Sequence, residues 1–182
     1  MKFWGEHFKA KYQGATTFPE LAMQELCSGS DVLEIGPGEG RQFGKLVSIS
    51  KSYSVADICQ EVLDQEMYDK CLSKILITSY LVDRIGGERF DVVHCWYVLH
   101  HVHPDMVSGF IGMMIGFCRP GGYVAFNFPV EGDGDNHDGT MTYANSTEIE
   151  SFIGSLSDAG GVDVVAREHM GSRNSVIVMR KK

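Results

Sequence analysis

Val32-Leu33-Glu34-Ile35-Gly36-Pro37-Gly38-Glu39-Gly40-Arg41 passes from an apolar run of strand type straight into three glycines at alternate positions. An amphipathic segment, Gln42 to Val47, follows at once. The order is strand, tight turn, helix. Such a turn needs residues that tolerate positive φ and put no side chain in the way of a ligand. The helix after it would point unpaired N–H groups and the positive end of its dipole at whatever rests on the turn. The spacing excludes two common phosphate cradles. A dinucleotide turn, G-x-G-x-x-G, would need glycine where Arg41 stands. A P-loop would need Lys followed by Ser or Thr after Gly40, and the chain has Arg41-Gln42.

Working outward, Thr17-Phe18-Pro19-Glu20 has the spacing of a capping box ahead of a helix whose apolar face is Leu21, Ala22, Leu26 and Cys27. Before it, Trp4, Phe8 and Tyr12 recur at the spacing of one helical face. Past the glycine turn, Tyr53 to Ile58 predicts a second strand, a helix over Cys59 to Ser73 follows, and Lys74 to Leu81 predicts a third strand. Asp57 stands about twenty residues past the first strand, where a carboxylate is placed to accept hydrogen bonds from a ribose. It is equally suited to cap the helix that follows. A fourth strand opens at Phe90, a helix runs from Pro104 to Cys118, and Tyr123 to Pro129 predicts a fifth strand. Thr147-x-x-Glu150 reads as a second capping box, and its helix, with Ile149, Phe152, Ile153 and Leu156 inward, stops at Gly160-Gly161. Val162 to Met170 and Asn174 to Arg180 are two last strands, and the short turn between them requires an antiparallel pair.

The remaining pattern, E-x-G-x-G-x-G, resembles the first motif of class I S-adenosylmethionine-dependent methyltransferases. Three later stretches resemble the same family: Phe90-Asp91-Val92-Val93, Leu99-His100-His101-Val102 and Arg119-Pro120-Gly121-Gly122-Tyr123. The resemblance runs from about Asp31 to the C-terminus. It implies a doubly wound α/β fold with a seven-stranded, mostly parallel sheet, an antiparallel C-terminal strand and helices on both faces. Residues 1–182 are then a single domain, with 1–30 an N-terminal helical segment and 31–182 a Rossmann-like core. The aromatic N-terminal segment is either a lid over the cofactor or a face docked on the body.

The cofactor implied is S-adenosylmethionine, with S-adenosylhomocysteine as product. On this resemblance Gly36, Gly38 and Gly40 line its amino-acid part with Glu34 close by. Asp57 holds the ribose with Ile58 beside it, Tyr80 or Leu81 covers the adenine, and Cys95, Trp96 and Tyr97 sit at the crevice end of the fourth strand. One departure stands out. Many members carry an acid at the end of the third strand, where this chain has Ser79 and Tyr80, and the nearest acid is Asp83.

Composition narrows the partners. The formal net charge of -8 argues against nucleic acid, which is held chiefly through Lys and Arg. No apolar run reaches the roughly 20 residues that span a bilayer, and the first residues lack the apolar core of a signal peptide. Five cysteines, scattered and without a C-x-x-C pair, read as reduced thiols of a cytoplasmic protein. His100, His101 and His103 lack a partner motif for a metal, so no metal is expected. His101 is the candidate general base, because imidazole takes a proton near neutral pH. The loop from Glu131 to Gly139 fails as a calcium site, since a count from Asp133 puts Asp138 where glycine is required. It is either a solvated connection or a polar rim to the ligand crevice, with Asn127, Asp133, Asp135 and His137 nearby.

The function expected is methyl transfer to an acceptor, a small molecule before nucleic acid. The alternative is a non-catalytic module that binds the cofactor and regulates or supports a partner. A nucleotide-binding oxidoreductase is disfavoured by Arg41 and by the terminal hairpin.

Overall fold

Strands buried on both faces are apolar runs without alternation, and β1, Asp31–Ile35, is one. Its Val32, Leu33 and Ile35 are all buried. The computed structural model describes residues 18–77, 90–130, 134–135, 141–142, 146–170 and 174–182. Around β1 they form a seven-stranded sheet of order β3-β2-β1-β4-β5-β9-β8. The members are β2, Ser52–Asp57, β3, Ser73–Leu76, β4, Phe90–Cys95, β5, Cys118–Pro129, β8, Val162–Met170, and β9, Asn174–Lys181. β1 to β5 run parallel, and β9 lies antiparallel between β5 and β8. The strand order reverses between β1 and β4. In a doubly wound sheet that switch point opens a crevice beyond the carboxyl ends of the strands.

Each face of the sheet has its own core. Leu33, Ile35, Val93, Cys95, Phe126 and Ile177 pack under two helices, α4, Pro104–Phe117, and α5, Ser146–Asp158. α4 supplies Val107, Ile111, Met114 and Phe117, one stripe at helical spacing. On the opposite face Val32, Tyr53, Val55, Val92 and Ala125 pack under α1, Phe18–Cys27, and under Phe43, Leu46, Leu63 and Tyr68. The amino ends of the strands are tied by charge. Asp31 accepts from Lys51, Ser52 and Arg119, and its N–H donates to Asp91 at 2.9 Å. The Lys51 bond, first among these, holds the Asp31 carboxyl below its ordinary range.

Four local expectations change. The helix after the glycine turn, α2, is only Phe43–Leu46, one turn with no side-chain cap. Its dipole is therefore small. The expected helix over 59–73 divides into α3, Gln60–Leu63, and a 3-10 turn, Glu66–Lys70. Thr147 is no cap, because α5 already begins at Ser146. β5 begins at Cys118 rather than Tyr123, since Cys118 already pairs with Phe90 and the register then shifts before Val92 meets Tyr123. After β5 a two-stranded ribbon, β6, Gly134–Asp135, and β7, Met141–Thr142, sets β7 beside a second 3-10 turn, Leu99–His101. Trp4, Phe8, Tyr12, Tyr80, Leu81, Asp83, Asp133 and His137 lie outside the described residues.

Candidate active site

Register draws one line across the carboxyl ends of four strands. Ile35 pairs with Ala56 on one side and Cys95 on the other, and Cys95 pairs with Phe126. The next residue on each strand gives the row Asp57, Gly36, Trp96, Asn127. Three of the expected site residues thus meet in the row, at the switch point.

The turn above it is built as the glycines demand. Gly36, Gly38 and Gly40 have φ of +68°, +55° and +74°, a region that residues with a Cβ rarely adopt. A Cβ on Gly36 would strike the Val98 side chain, and one on Gly40 would strike Met67. Among the described residues a Cβ on Gly38 would meet nothing within 4 Å, so the bare side of Gly38 faces open space there. The Gly38 carbonyl is held from behind. The Tyr68 hydroxyl donates to it at 2.9 Å and Gln65 Nε2 at 3.4 Å. Tyr68 sits on the 3-10 turn Glu66–Lys70, which explains why the predicted long helix breaks there. Burial raises the Tyr68 phenol to about 12, so it remains a donor at any ordinary pH.

Asp57 ends β2 with one carboxylate oxygen committed. Oδ1 accepts from the Cys59 N–H at 2.9 Å, fixing the turn into α3. Among the described residues Oδ2 has no partner. The capping alternative is therefore met in modified form, because the N-cap is Cys59 and Asp57 braces it from two residues back. Ile58, beside it, is 78% exposed, an apolar side chain left at the crevice edge.

Glu34 does not reach the turn's open side. It is 3% exposed and accepts from the Tyr53 hydroxyl at 2.9 Å. The same hydroxyl lies 3.1 Å from His94 Nε2. With the phenol proton given to Glu34, Nε2 is the protonated nitrogen of His94 and donates to the phenol oxygen. His94 Nδ1 is then buried, with no partner among the described residues. Burial raises the Glu34 carboxyl to about 7, against the hydrogen bond from Tyr53, and holds His94 down at about 3.

Cys95 turns away from the row. Its thiol is fully buried on the α4 side, 3.8 Å from the Met114 sulfur. It offers the crevice no side chain. Trp96 is 8% exposed, and among the described residues its Nε1–H has no acceptor. His100 is fixed by Asn174, with Nε2 to Oδ1 at 2.7 Å, and desolvation holds its pKa below the ordinary histidine value. His101 is exposed at the end of its 3-10 turn, its N–H donating to Val98 O at 2.9 Å. Among the described residues no cluster of three metal-ligating side chains occurs.

Two arrangements lay beyond the sequence reading, although Tyr97 itself was expected at the crevice end of β4. Tyr53 and His94 are the hidden partners of Glu34. Their only trace is polarity inside apolar strands, at positions that share a face once the register is known. Tyr97, the residue after Trp96, has φ +60°, the single non-glycine at positive φ among the described residues. That conformation costs an L-residue about 1–2 kcal/mol. Asn127 holds it there, its Oδ1 accepting from the Tyr97 N–H at 2.7 Å.

The family model described as "Methyltransferase domain" matches residues 7–153. No curated protein matches the chain. Among solved structures it is similar to 1,6-didemethyltoxoflavin-N1-methyltransferase of Burkholderia thailandensis with 1,6-didemethyltoxoflavin and S-adenosylhomocysteine bound. That match has 19% identity and a TM-score of 0.65, and covers 100% of this chain and 84% of the other. It is also similar to magnesium protoporphyrin IX methyltransferase of Synechocystis PCC 6803 with S-adenosylmethionine bound, at 14% identity and TM-score 0.64, covering 100% and 85%. A putative Zn-dependent alcohol dehydrogenase of Rhodobacter sphaeroides superposes with a TM-score of 0.71 at 11% identity, covering 90% and 88%. At such identities the superpositions establish the fold alone, and the family rests on the sequence match. The chain belongs to the methyltransferase-domain family, the S-adenosylmethionine-dependent class that its glycine turn resembles.

Proposed function

We propose that the row Asp57–Gly36–Trp96–Asn127 binds S-adenosylmethionine over its Asp57–Gly36 half and that the chain transfers the methyl group to a small-molecule acceptor over the other half. The observation that carries this is the pairing of Gly38, bare toward open space, with the uncommitted Asp57 Oδ2 one strand away. The methionine part lies along Gly36, Gly38 and Gly40, Asp57 takes the ribose hydroxyls, and Ile58 gives the adenine an apolar ledge. Trp96 closes the sulfonium side. Tyr80 and Leu81 belong to the same reading at the adenine. Cys95 contributes only main chain, and Glu34 acts from beneath the turn.

When bound, the cofactor supplies an electrophilic methyl group on a sulfonium. The protein's task is to hold donor and acceptor in line and to exclude water. A base is optional; where the acceptor atom carries a proton, the exposed His101 takes it. Relatives of this fold that carry toxoflavin and protoporphyrin in their names support a small molecule as acceptor. Five free cysteines, three of them buried, support a cytoplasmic setting, and no helix among the described residues is long and apolar enough to cross a membrane.

Calorimetry with S-adenosylmethionine tests the reading directly, and absence of binding at millimolar ligand removes it. Asp57→Ala should weaken that binding by about 5- to 150-fold, the loss of hydrogen bonds worth about 1–3 kcal/mol. Asp57→Asn keeps an oxygen for the Cys59 N–H, so an equal loss in Asn and Ala variants assigns the effect to the charge on the ribose. Unchanged affinity in both would leave Asp57 as a turn brace only. Release of S-adenosylhomocysteine with a panel of acceptors separates an enzyme from a cofactor-binding regulatory module.

A further inference from the structure

The far end of the row holds an arrangement that cofactor binding does not use. Asn127 is fully buried, yet only half of its amide is engaged. Oδ1 takes the Tyr97 N–H, and among the described residues Nδ2 has no partner. Tyr97 is forced to positive φ by the same contact and stands 42% exposed. Its ring lies against His100, centroids 5.4 Å apart and planes at 39°. His100 is in turn fixed by Asn174 on β9. A large aromatic is thus held in a strained conformation, braced on its backbone by a buried amide and on its ring by a second anchored ring. Backbone strain of this kind persists where the surroundings enforce it, and it concentrates at ligand clamps.

The order of the row says which ligand. Asp57, the ribose end, lies on β2, and Gly36 follows on β1. Tyr97 and Asn127 lie on the other side of Gly36, on the β4–β5 side. The adenosine half does not extend that way. What meets Tyr97 and Asn127 is the molecule that approaches the sulfonium from the opposite side. A fixed, half-exposed ring offers a flat apolar face, best covered by another flat ring in offset stacking. A buried N–H without an acceptor is costly until something supplies one, and a carbonyl oxygen does so.

We propose that Tyr97 and Asn127 form the acceptor-recognition wall of this chain, and that the acceptor is a flat unsaturated ring carrying a carbonyl oxygen. This rests on the methyl-transfer reading above. Tyr97 supplies the stacking face; Asn127 fixes Tyr97, and its Nδ2–H, closed over in this structure, is the donor left for the carbonyl once the acceptor seats on Tyr97.

The test is a titration in saturating S-adenosylhomocysteine with three probes. Lumazine is flat and bears two carbonyls, quinoxaline is flat and has none, and cyclohexylamine is neither. Lumazine should bind the wild-type protein at least about tenfold more tightly than either of the others. Tyr97→Gly should lose about tenfold or more of the lumazine affinity, while Tyr97→Phe keeps it. Glycine relieves the positive-φ strain but gives up backbone entropy and the ring contact with His100, so Tyr97→Gly should stay folded, melt within a few degrees of the wild-type protein and bind S-adenosylhomocysteine unchanged. Equal affinity for the three probes, or lumazine binding that survives Tyr97→Gly, overturns the proposal. A drop in melting temperature with lumazine binding intact does the same, because Tyr97 is then a structural residue. Failure of S-adenosylhomocysteine to bind the wild-type protein is a separate result, which removes the methyl-transfer reading and this inference with it.

Discussion

Tyr53→Phe should lower folding stability by about 2–5 kcal/mol, with the greater loss at pH 8 than at pH 5.5. Among the described residues the hydroxyl is what joins the side chains of Glu34 and His94, which are also register partners on β1 and β4. Removing it leaves a carboxyl and an imidazole N–H in a layer that water does not reach, each an unmatched group worth about 1–3 kcal/mol. The pH dependence follows from the titrations. The Glu34 carboxyl is raised from 4.5 to about 7, so the stability that its neutral form contributes is complete below 4.5 and is lost as pH rises to about 7. His94 is lowered from 6.5 to about 3, so its contribution is complete above 6.5 and is lost as pH falls toward 3. Between 4.5 and 6.5 the two slopes offset, and the wild-type protein should show a plateau there.

At pH 8 Glu34 is ionised and the Tyr53 bond is charge-assisted, roughly twice as strong as a neutral one. That is why the substitution costs more in alkali. Urea unfolding at the two pH values measures it. A loss below about 1 kcal/mol, or one equal at both pH values, would mean that the three groups are not coupled as their distances imply. Glu34→Gln provides the companion result. It should remove the alkaline decline of the wild-type protein and leave the acid decline, which belongs to His94.

Gly36→Ala should destabilise by about 2–4 kcal/mol, the sum of a left-handed backbone and an overpacked contact. Gly36 has φ +68°, and its new methyl would enter the space of the Val98 side chain. Val98 has little freedom, because it is β-branched and packs against the central core. Thermal melting of Gly36→Ala, Val98→Ala and the double variant isolates the clash. The double variant should be more stable than the two single losses predict by about 1 kcal/mol. Gly38→Ala is the contrast. Its φ of +55° is strained for alanine, but the methyl would meet nothing within 4 Å among the described residues. It should lower stability by only about 1–2 kcal/mol. Its main effect should be on calorimetric S-adenosylmethionine affinity, since the methyl stands where the ligand rests. If Gly38→Ala binds the cofactor as tightly as the wild-type protein, the turn is not the cofactor's cradle.

The contrast between these two glycines marks the line between what was legible and what was not. The sequence alone determined the strand-turn-helix order at Val32–Leu46 and the antiparallel β8–β9 pair, because glycine spacing and a short connection impose them within a few residues. The parallel sheet was implied by the family resemblance rather than by any local pattern, and the distance of Asp57 from the turn by its count along the chain. Contacts between residues far apart in the chain followed only from the tertiary structure. The shortening of the helix after Cys59 is one case, since a continuous helix would not carry Tyr68 to the Gly38 carbonyl. The inward turn of Cys95 is another, because which face a strand residue takes depends on its register with β1 and β5. The Glu34–Tyr53–His94 chain spans three strands, and the Tyr97–Asn127 lock spans two. Each joins polar groups that read singly as exceptions in apolar runs, and only strand pairing brings a donor and its acceptor within 3 Å or so of one another.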